Sequence, residues 1–288
     1  MTAGPKLWTE EVIYQRRRAG HGSGEGPEYI PWLLAQEVSN SNTQTRVYAE
    51  LAGRTLHLAS ELDRHLFLAL EAGTDLLDFR ETFPLPRELT VPLAKELRLS
   101  HPRYPKTRVH RVLTVSAMVK RRCRNGEVRE EAWDTVSQRR LARKVIPTDL
   151  KIRRACCEAL GIEHHVFNEE SISRATIRNL ESIRGARRRV GEIDTAPGLF
   201  DALPQRMIEE IAAAKRRTSI SAFCQSFDRR CSLPAGTAIR VFKLLLGRHE
   251  LLLDLEVPDL LNQPLSSIGS QPTPMYERTE THDPALSQ

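Results

Sequence analysis

Apolar and polar residues alternate along several short segments of the first 170 residues, and this period of two predicts β-strands. The segment "RVYAELAGRTLHL" predicts a hairpin that turns near Gly53. The segments "RVLTVSAMVKRR" and "EVREEAWDTVSQR" predict two further strands, joined at the turn-forming pair Asn125 and Gly126. "DLLDFRETFPL" and "IEHHVF" complete the set, so the N-terminal part should contain a sheet.

Helical spacing separates these strands. Leu62, Leu66 and Leu70 recur on one face of a helix predicted over 61–71, and Ser60 is a suitable N-cap for it. "DLKIRRACCEALG" predicts a second helix that stops at Gly161. This order of helices and strands predicts an α/β domain with a mixed sheet.

The pattern changes near residue 170, after which helices dominate. "LPQRMIEEIAAAKRRT", "SISAFCQSF" and "PAGTAIRVFKLLLGR" predict three helices, the second capped by Ser219 or Ser221. "HELLLDLEV" predicts a strand with a partner after the following turn. Helices followed by a β-hairpin are typical of a winged-helix module, although a helical interaction domain would share most of the pattern. We therefore expect domains at 1–170 and 171–270, and a disordered polar tail at 271–288.

The composition adds a partner class. The 288 residues carry a formal net charge of +6, which favours a polyanionic partner over a neutral one, although a solvated basic surface would also fit. No run of about 18 apolar residues predicts a membrane span, and the N-terminus lacks a secretion signal. The five cysteines do not show zinc-binding spacing. These features predict a cytoplasmic protein with reduced thiols and no membrane contact.

Basic residues cluster in both predicted domains, and DNA phosphates are the polyanion that they would suit. Two of them lie on the helix that a winged-helix domain would use for recognition. The candidate DNA-binding residues are Arg121, Arg122, Arg139, Arg140, Arg187, Arg188, Lys215, Arg216, Arg217, Arg240 and Lys243.

Longer segments carry a resemblance to a known family. "GPEYIPWLLAQEV", "GRTLHLASELDRHLFLALE" and "DLLDFRETFPL" resemble the N-terminal domain of the TnsA family, and "LLLGRHELLLDLEVPDLLNQPLSSI" resembles the end of its C-terminal domain. The resemblance implies a restriction-endonuclease-like core followed by a mainly α winged-helix domain. It also implies a nuclease that cuts the 5′ ends of a transposon, beside a TnsB-like transposase and a TnsC-like AAA+ ATPase.

The family's metal site consists of an acid on the first core helix, an Asp on the next strand and a Gln/Glu-x-Lys on the strand after it. In this chain the helix acid is Asp63, whereas the Asp position falls on Ser116. The Gln/Glu and Lys positions fall on Thr135 and Ser137, and no acid lies between Leu97 and Asn125. The resemblance therefore implies a degenerate site, with no metal ligand set and no cofactor expected.

Two alternatives remain open at this stage. Asp63 could join Glu130, Glu131 or Asp134 in a relocated Mg²⁺ site, which would make the chain an active endonuclease. The chain could instead be a winged-helix regulator unrelated to transposition. Asp63 alone would also suit the first turn of any helix, where an acid favours the helix dipole.

Overall fold

A computed structural model describes residues 7–34, 37, 45–141, 147–189, 191–194, 196–214 and 217–269. The chain divides into two compact units, one of residues 1–67 with 75–170 and one of residues 68–74 with 171–288. The predicted tail at 271–288 lies outside the described residues.

The first unit is a mixed α/β fold. Its helices are α1 (Glu10–Arg18), α2 (Glu61–Glu71, whose last turn belongs to the second unit), α3 (Arg87–Glu96), α4 (Gln138–Leu141) and α5 (Thr148–Ala159). Its strands are β1 (Thr45–Ala49), β2 (Arg54–Leu58), β3 (Leu76–Pro84), β4 (Thr114–Arg122), β5 (Val128–Thr135) and β6 (Glu163–Phe167).

The strands form a β1–β2 hairpin and a four-stranded sheet in the order β3-β4-β5-β6. β3, β4 and β5 are antiparallel neighbours, and β6 pairs with β5 in parallel. This confirms the predicted mixed sheet. The middle of β4 is buried on both faces: Ala117 and Val119 point to one side and Met118 to the other, and all three are inaccessible to solvent, as expected of a central strand.

Helix α5 covers one face of the sheet. Its Cys156 and Cys157 are both buried against Met118 and Ala132. Adjacent cysteines on a helix point to different faces, which predicts one buried and one exposed thiol, but both are buried here because a second element packs against the helix. Helix α3 is that element, since it packs against α5. Burial raises the pKa of the Cys157 thiol to about 12, so both thiols are unreactive packing groups.

The glycine-rich segment near the N-terminus has a packing role. Gly22 and Gly24 have φ values of +80° and +90°, and a Cβ on Gly22 would come within 2.2 Å of the Pro84 ring. The chain passes close to the end of β3 at this point, so glycine is required both by its backbone conformation and by lack of space.

The second unit is helical in its described part. It contains α6 (Arg174–Gly185), α7 (Ala202–Ala213), α8 (Ile220–Arg230) and α9 (Thr237–Gly247), and α9 packs against the other three. Ser219, rather than Ser221, caps α8 by accepting a hydrogen bond from the Ala222 backbone N–H. The Asp228 carboxylate accepts two N–H groups at the start of α9, each at 2.8 Å, and so joins the two helices.

The strand predicted over 249–257 does not form. Within the described residues 217–269 the only β-type pairing is one isolated bridge between Ser219 and Pro264. Leu251 and Leu253 are buried in the helical core, and the Asn179 amide donates to the carbonyls of Leu255 and Val257 at 2.8 and 2.9 Å. A side chain thus takes the place of a partner strand, and the β-hairpin of a winged helix is missing from this part of the chain.

Candidate functional site

Asp63 lies in the first turn of α2 with only 9% of its surface exposed. The Ser60 hydroxyl oxygen accepts the Asp63 backbone N–H at 3.1 Å, as the predicted N-cap should. The same hydroxyl donates its proton to Asp63 Oδ2 at 2.9 Å. Ser60 therefore both starts the helix and binds one oxygen of the carboxylate.

The sheet supplies the partners of the other carboxylate oxygen. The Thr135 hydroxyl, at the end of β5, donates to Asp63 Oδ1 at 2.6 Å. Ser116, on β4, places its hydroxyl oxygen 3.0 Å from that of Thr135 and accepts the Thr135 backbone N–H at 3.1 Å. The three positions that the family resemblance aligned are therefore adjacent in space.

The hydrogen bonds around Asp63 have one consistent direction. Because the Thr135 hydroxyl proton goes to Asp63, the Thr135 oxygen can only accept from the Ser116 hydroxyl, which also interacts with the Asp63 carboxylate. The hydroxyl groups of Ser116, Thr135 and Ser60 then each donate a hydrogen bond, and both carboxylate oxygens of Asp63 accept one. We call these four residues the Asp63 network; it is a closed polar cluster made of one acid and three neutral hydroxyl groups.

Burial sets the protonation of this network. Removal from water raises the pKa of Asp63, while the hydrogen bonds from Thr135, Ser60 and Ser116 act in the opposite direction without cancelling the effect of burial. No cation is among these causes. An Asp that held a metal in its working state would need a second anionic ligand nearby, and the network has none.

Ser137 does not join the other aligned residues on the strand. β5 ends at Thr135, and the Ser137 carbonyl accepts the N–H groups of Arg140 and Leu141 at the start of α4. The expected alternation of side chains along a strand therefore stops before Ser137. Lys144, the nearest downstream lysine, lies outside the described residues.

Asp134 faces the opposite side of the sheet from Thr135, as strand alternation requires. It is fully buried, and its carboxylate binds the Arg153 guanidinium at 2.6 Å and His164 Nε2 at 2.8 Å. The Ser116 backbone N–H adds a longer contact of 3.3 Å. His164 Nε2 thus has the Asp134 carboxylate as its hydrogen-bond partner.

The other acids of the relocated-site alternative also have partners. Glu130 forms an ion pair with Arg80, and Glu131 accepts the Trp133 indole N–H at 3.2 Å and lies 3.5 Å from Arg121. Among the residues that the structure describes, no group of three or more His, Cys, Asp or Glu residues could hold a metal ion. The geometry therefore offers no assembled ligand set around Asp63.

Two comparisons with known proteins find similarity to TnsA. Residues 171–255 match the family model described as TnsA endonuclease C terminal. The chain is also 30% identical over 174 residues to the Transposon Tn7 transposition protein TnsA of Escherichia coli, which covers 60% of this chain and 62% of that protein. The chain therefore spans less than two thirds of the length of that relative.

The candidate DNA-binding residues fall into distinct groups. Lys243 is half-buried, and Lys215 and Arg216 lie outside the described residues. The candidates with exposed side chains are Arg122, Arg139, Arg140, Arg188 and Arg217.

Three candidates that are buried or half-buried form ion pairs. Arg121 is 4% exposed and binds Asp75, and Arg187 binds Glu71 at 2.8 Å. Arg240 binds Glu192 at 2.6 and 2.8 Å and also donates to the Ala186 carbonyl. The sequence places these charges without showing the acids that pair with them, and the DNA-binding role of these residues stays a prediction.

No helix in the described part of the chain is long and apolar enough to cross a membrane.

Sequence reasoning missed several of the residues that bind Asp63 and Asp134. Ser60 was expected only as a helix cap, and the Arg153–Asp134–His164 cluster was not foreseen. The period-two alternation of β5 did separate Asp134 from Thr135, but it gave no indication of what either residue would contact.

Proposed function

We propose that this chain is a TnsA-family protein and acts in a DNA transposition complex as a subunit with a restriction-endonuclease-like core that no longer cuts. The observation that carries the proposal is the Asp63 network. Ser116 and Thr135 stand where the family pattern has an Asp and a Gln or Glu, and their hydroxyl groups bind the remaining acid.

The chemistry of phosphodiester cleavage explains why this matters. Mg²⁺ prefers hard, charged oxygen ligands in octahedral geometry, and it acts by polarising the phosphate and lowering the pKa of the attacking water. A nearby lysine would stabilise the developing charge. Here one carboxylate is surrounded by three neutral hydroxyl groups, and the Asp63 network contains no second anionic ligand and no lysine. The residues therefore do not fit a resident Mg²⁺ ion, and we assign no step to one.

The role that remains is architectural. We infer that the chain holds transposon-end or target DNA and links a TnsB-like transposase to a TnsC-like AAA+ ATPase in the cytoplasm. The exposed arginines, including Arg139, Arg140 and Arg217, support DNA contact by phosphate binding. The similarity to TnsA supports a role in transposition. The Asp63 network supports the proposed loss of nuclease activity.

A strand-specific cleavage assay tests the proposal. The full chain would be mixed with its partner transposase, a transposon-end duplex labelled on both strands, and Mg²⁺ or Mn²⁺. We expect cuts at the 3′ ends alone. Cuts at the 5′ ends that disappear in Asp63→Ala, yet persist in the control Glu61→Ala, would show a working nuclease site and overturn the proposal. Glu61 suits the control because it is an acid in the same helical turn with a 61% exposed side chain.

The transposition product gives a second readout. If the 5′ strands stay joined to the donor, replication should resolve the intermediate into a cointegrate that contains donor and target. Simple insertions, made with no other 5′ nuclease present, would contradict the proposal. Wild type and Asp63→Ala should give the same product distribution.

A further inference from the structure

The loop between α3 and β4 contains several cationic residues and no acidic ones. None of its residues is among the DNA-binding candidates named from the sequence. No Asp or Glu occurs between Leu97 and Asn125. We call residues 97–113 the basic loop. Its cationic side chains, all exposed, are Arg98, Arg103, Lys106, Arg108 and Arg111.

These charges are not neutralised within the described structure. None of the five cationic side chains forms a salt bridge with an acid in the described part of the chain. Two acids of the same unit, Glu10 and Glu88, bind Arg87 and Arg17 instead. The basic loop thus differs from the arginines at 121, 187 and 240, whose charges are internally paired.

The basic loop has a fixed conformation. Tyr104 stacks on Trp8 with ring centroids 5.0 Å apart and planes 5° from parallel. The Thr107 hydroxyl donates to the Trp8 carbonyl at 2.5 Å. Backbone bonds close the turn, from Tyr104 N–H to the Val109 carbonyl at 2.8 Å and from Arg108 N–H to the Tyr104 carbonyl at 2.9 Å.

Two of the guanidinium groups are also held in place. Arg103 donates to the Arg108 carbonyl at 2.7 Å, and Arg111 lies over the Tyr104 ring at 5.9 Å. A preorganised set of cations loses less side-chain entropy on binding than mobile ones do. The loop therefore presents five exposed positive charges on an ordered backbone, two of them with held side chains, which suits a repeating polyanion better than a single small anion.

We propose that the basic loop binds the phosphate backbone of duplex DNA. The inference rests on the proposed function, which supplies DNA as the polyanion in the complex. Arginine and lysine contacts to phosphates position a protein on DNA without reading its sequence. The binding should therefore depend steeply on salt and little on base sequence.

The test is fluorescence anisotropy of the full chain with a short labelled duplex of mixed sequence, titrated at several KCl concentrations. The variant is Lys106→Gln/Arg108→Gln, because neither side chain has an ion-pair partner in the described structure. The matched control is Arg129→Gln/Arg154→Gln, which removes the same net charge from two exposed arginines that pair with Glu127 and Glu158.

Each lost phosphate contact should make the slope of log K against log salt shallower by about 0.9. We expect the loop variant to lose about two units of slope and at least tenfold in affinity at low salt, since each contact releases about one counterion. The control should retain the wild-type slope. Lys106→Arg/Arg108→Lys keeps both charges and should restore binding, which separates charge from loop folding.

The outcomes distinguish this inference from the function on which it rests. Wild-type binding with an unchanged slope in the loop variant would overturn the inference alone. Absence of salt-dependent duplex binding by the wild type would overturn the DNA-holding role and the inference together. If the loop variant keeps its DNA affinity and instead loses binding to phosphatidylserine vesicles, the polyanion is a lipid surface and the proposal is wrong.

Discussion

The Thr135 hydroxyl donates a 2.6 Å hydrogen bond to Asp63 Oδ1, and this contact joins the end of β5 to the first turn of α2. A strand residue that would carry a metal ligand in the family pattern here acts as a hydrogen-bond donor to the remaining acid. The consequence is a buried carboxylate stabilised only by neutral groups, and its energetics can be measured.

We predict that Asp63→Asn stabilises the protein at neutral and alkaline pH. Burial raises the pKa of Asp63, so the folded state keeps a proton that the unfolded state has released. The stability is greatest below the unfolded pKa and falls as pH rises through the raised folded pKa. Removing the charge should raise Tm by about 2–4 °C at pH 8, the shift that accompanies about 1 kcal/mol in a chain of this size.

Thermal unfolding followed by circular dichroism from pH 4 to pH 8 would measure this effect. The gain should shrink as the pH falls towards 4, because the unfolded-state Asp63, with an ordinary pKa of about 3.9, then becomes protonated as well. A variant that is less stable than wild type at pH 8 would show that the ionised carboxylate contributes favourably, contrary to the expected sign.

Asp134→Asn should have the opposite effect. Asp134 is also buried, but it pairs with Arg153 and His164, so its loss leaves a buried guanidinium without its main counter-charge. Breaking a buried pair from one side costs about 3–5 kcal/mol. Urea unfolding at pH 7 should show a clear loss of stability, and an effect below about 1 kcal/mol would mean that Asp149 compensates fully through its contact with Arg153.

Thr135→Val removes a donor from the Asp63 network and keeps the shape of the side chain. Asp63 Oδ1 loses its close partner and the Ser116 hydroxyl loses its acceptor, so we expect a cost of about 1–3 kcal/mol. A double-mutant cycle with Asp63→Asn measures the coupling. A coupling energy near zero would mean that Thr135 acts through packing instead of through Asp63.

Restoring acids should create a metal site where the wild type has none. In Ser116→Asp/Thr135→Glu the added carboxylates take the place of the hydroxyl groups beside Asp63, which gives Mn²⁺ three anionic ligands. Without metal this variant should be less stable than wild type because its buried charges repel one another. Mn²⁺ at about 100 times its Kd should restore about 2.7 kcal/mol, measured as a rise in Tm.

The control for this experiment adds Asp63→Asn to the same variant, which should weaken the Mn²⁺ response. The wild type should show no response to Mn²⁺. A Tm increase in the wild type that Asp63→Asn abolishes would reveal a metal site formed with ligands outside those described, and would contradict the proposed loss of cutting.

Local patterns were sufficient for most elements of the fold. The alternation of apolar residues placed both hairpins, and the Ser60 cap placed the start of α2. These succeed because side-chain direction and capping depend on near neighbours in the chain. The prediction of a strand at 249–257 was wrong because the contacts of this segment come from distant parts of the chain. Its leucines have strand composition, but Asn179 and the helical core satisfy that segment without a partner strand.

The sequence by itself determined that the metal-ligand acids are missing, because residue identity at Ser116 and Thr135 needs no structure to read. Only the tertiary structure decided what replaces them. The hydrogen bonds that close the Asp63 network join residues 19 to 72 positions apart, and the ion pairs of Arg121, Arg187 and Arg240 join residues 46, 116 and 48 positions apart. Contacts of such separation depend on how the sheet and helices pack, and a charge is available to DNA only where that packing has left it unpaired.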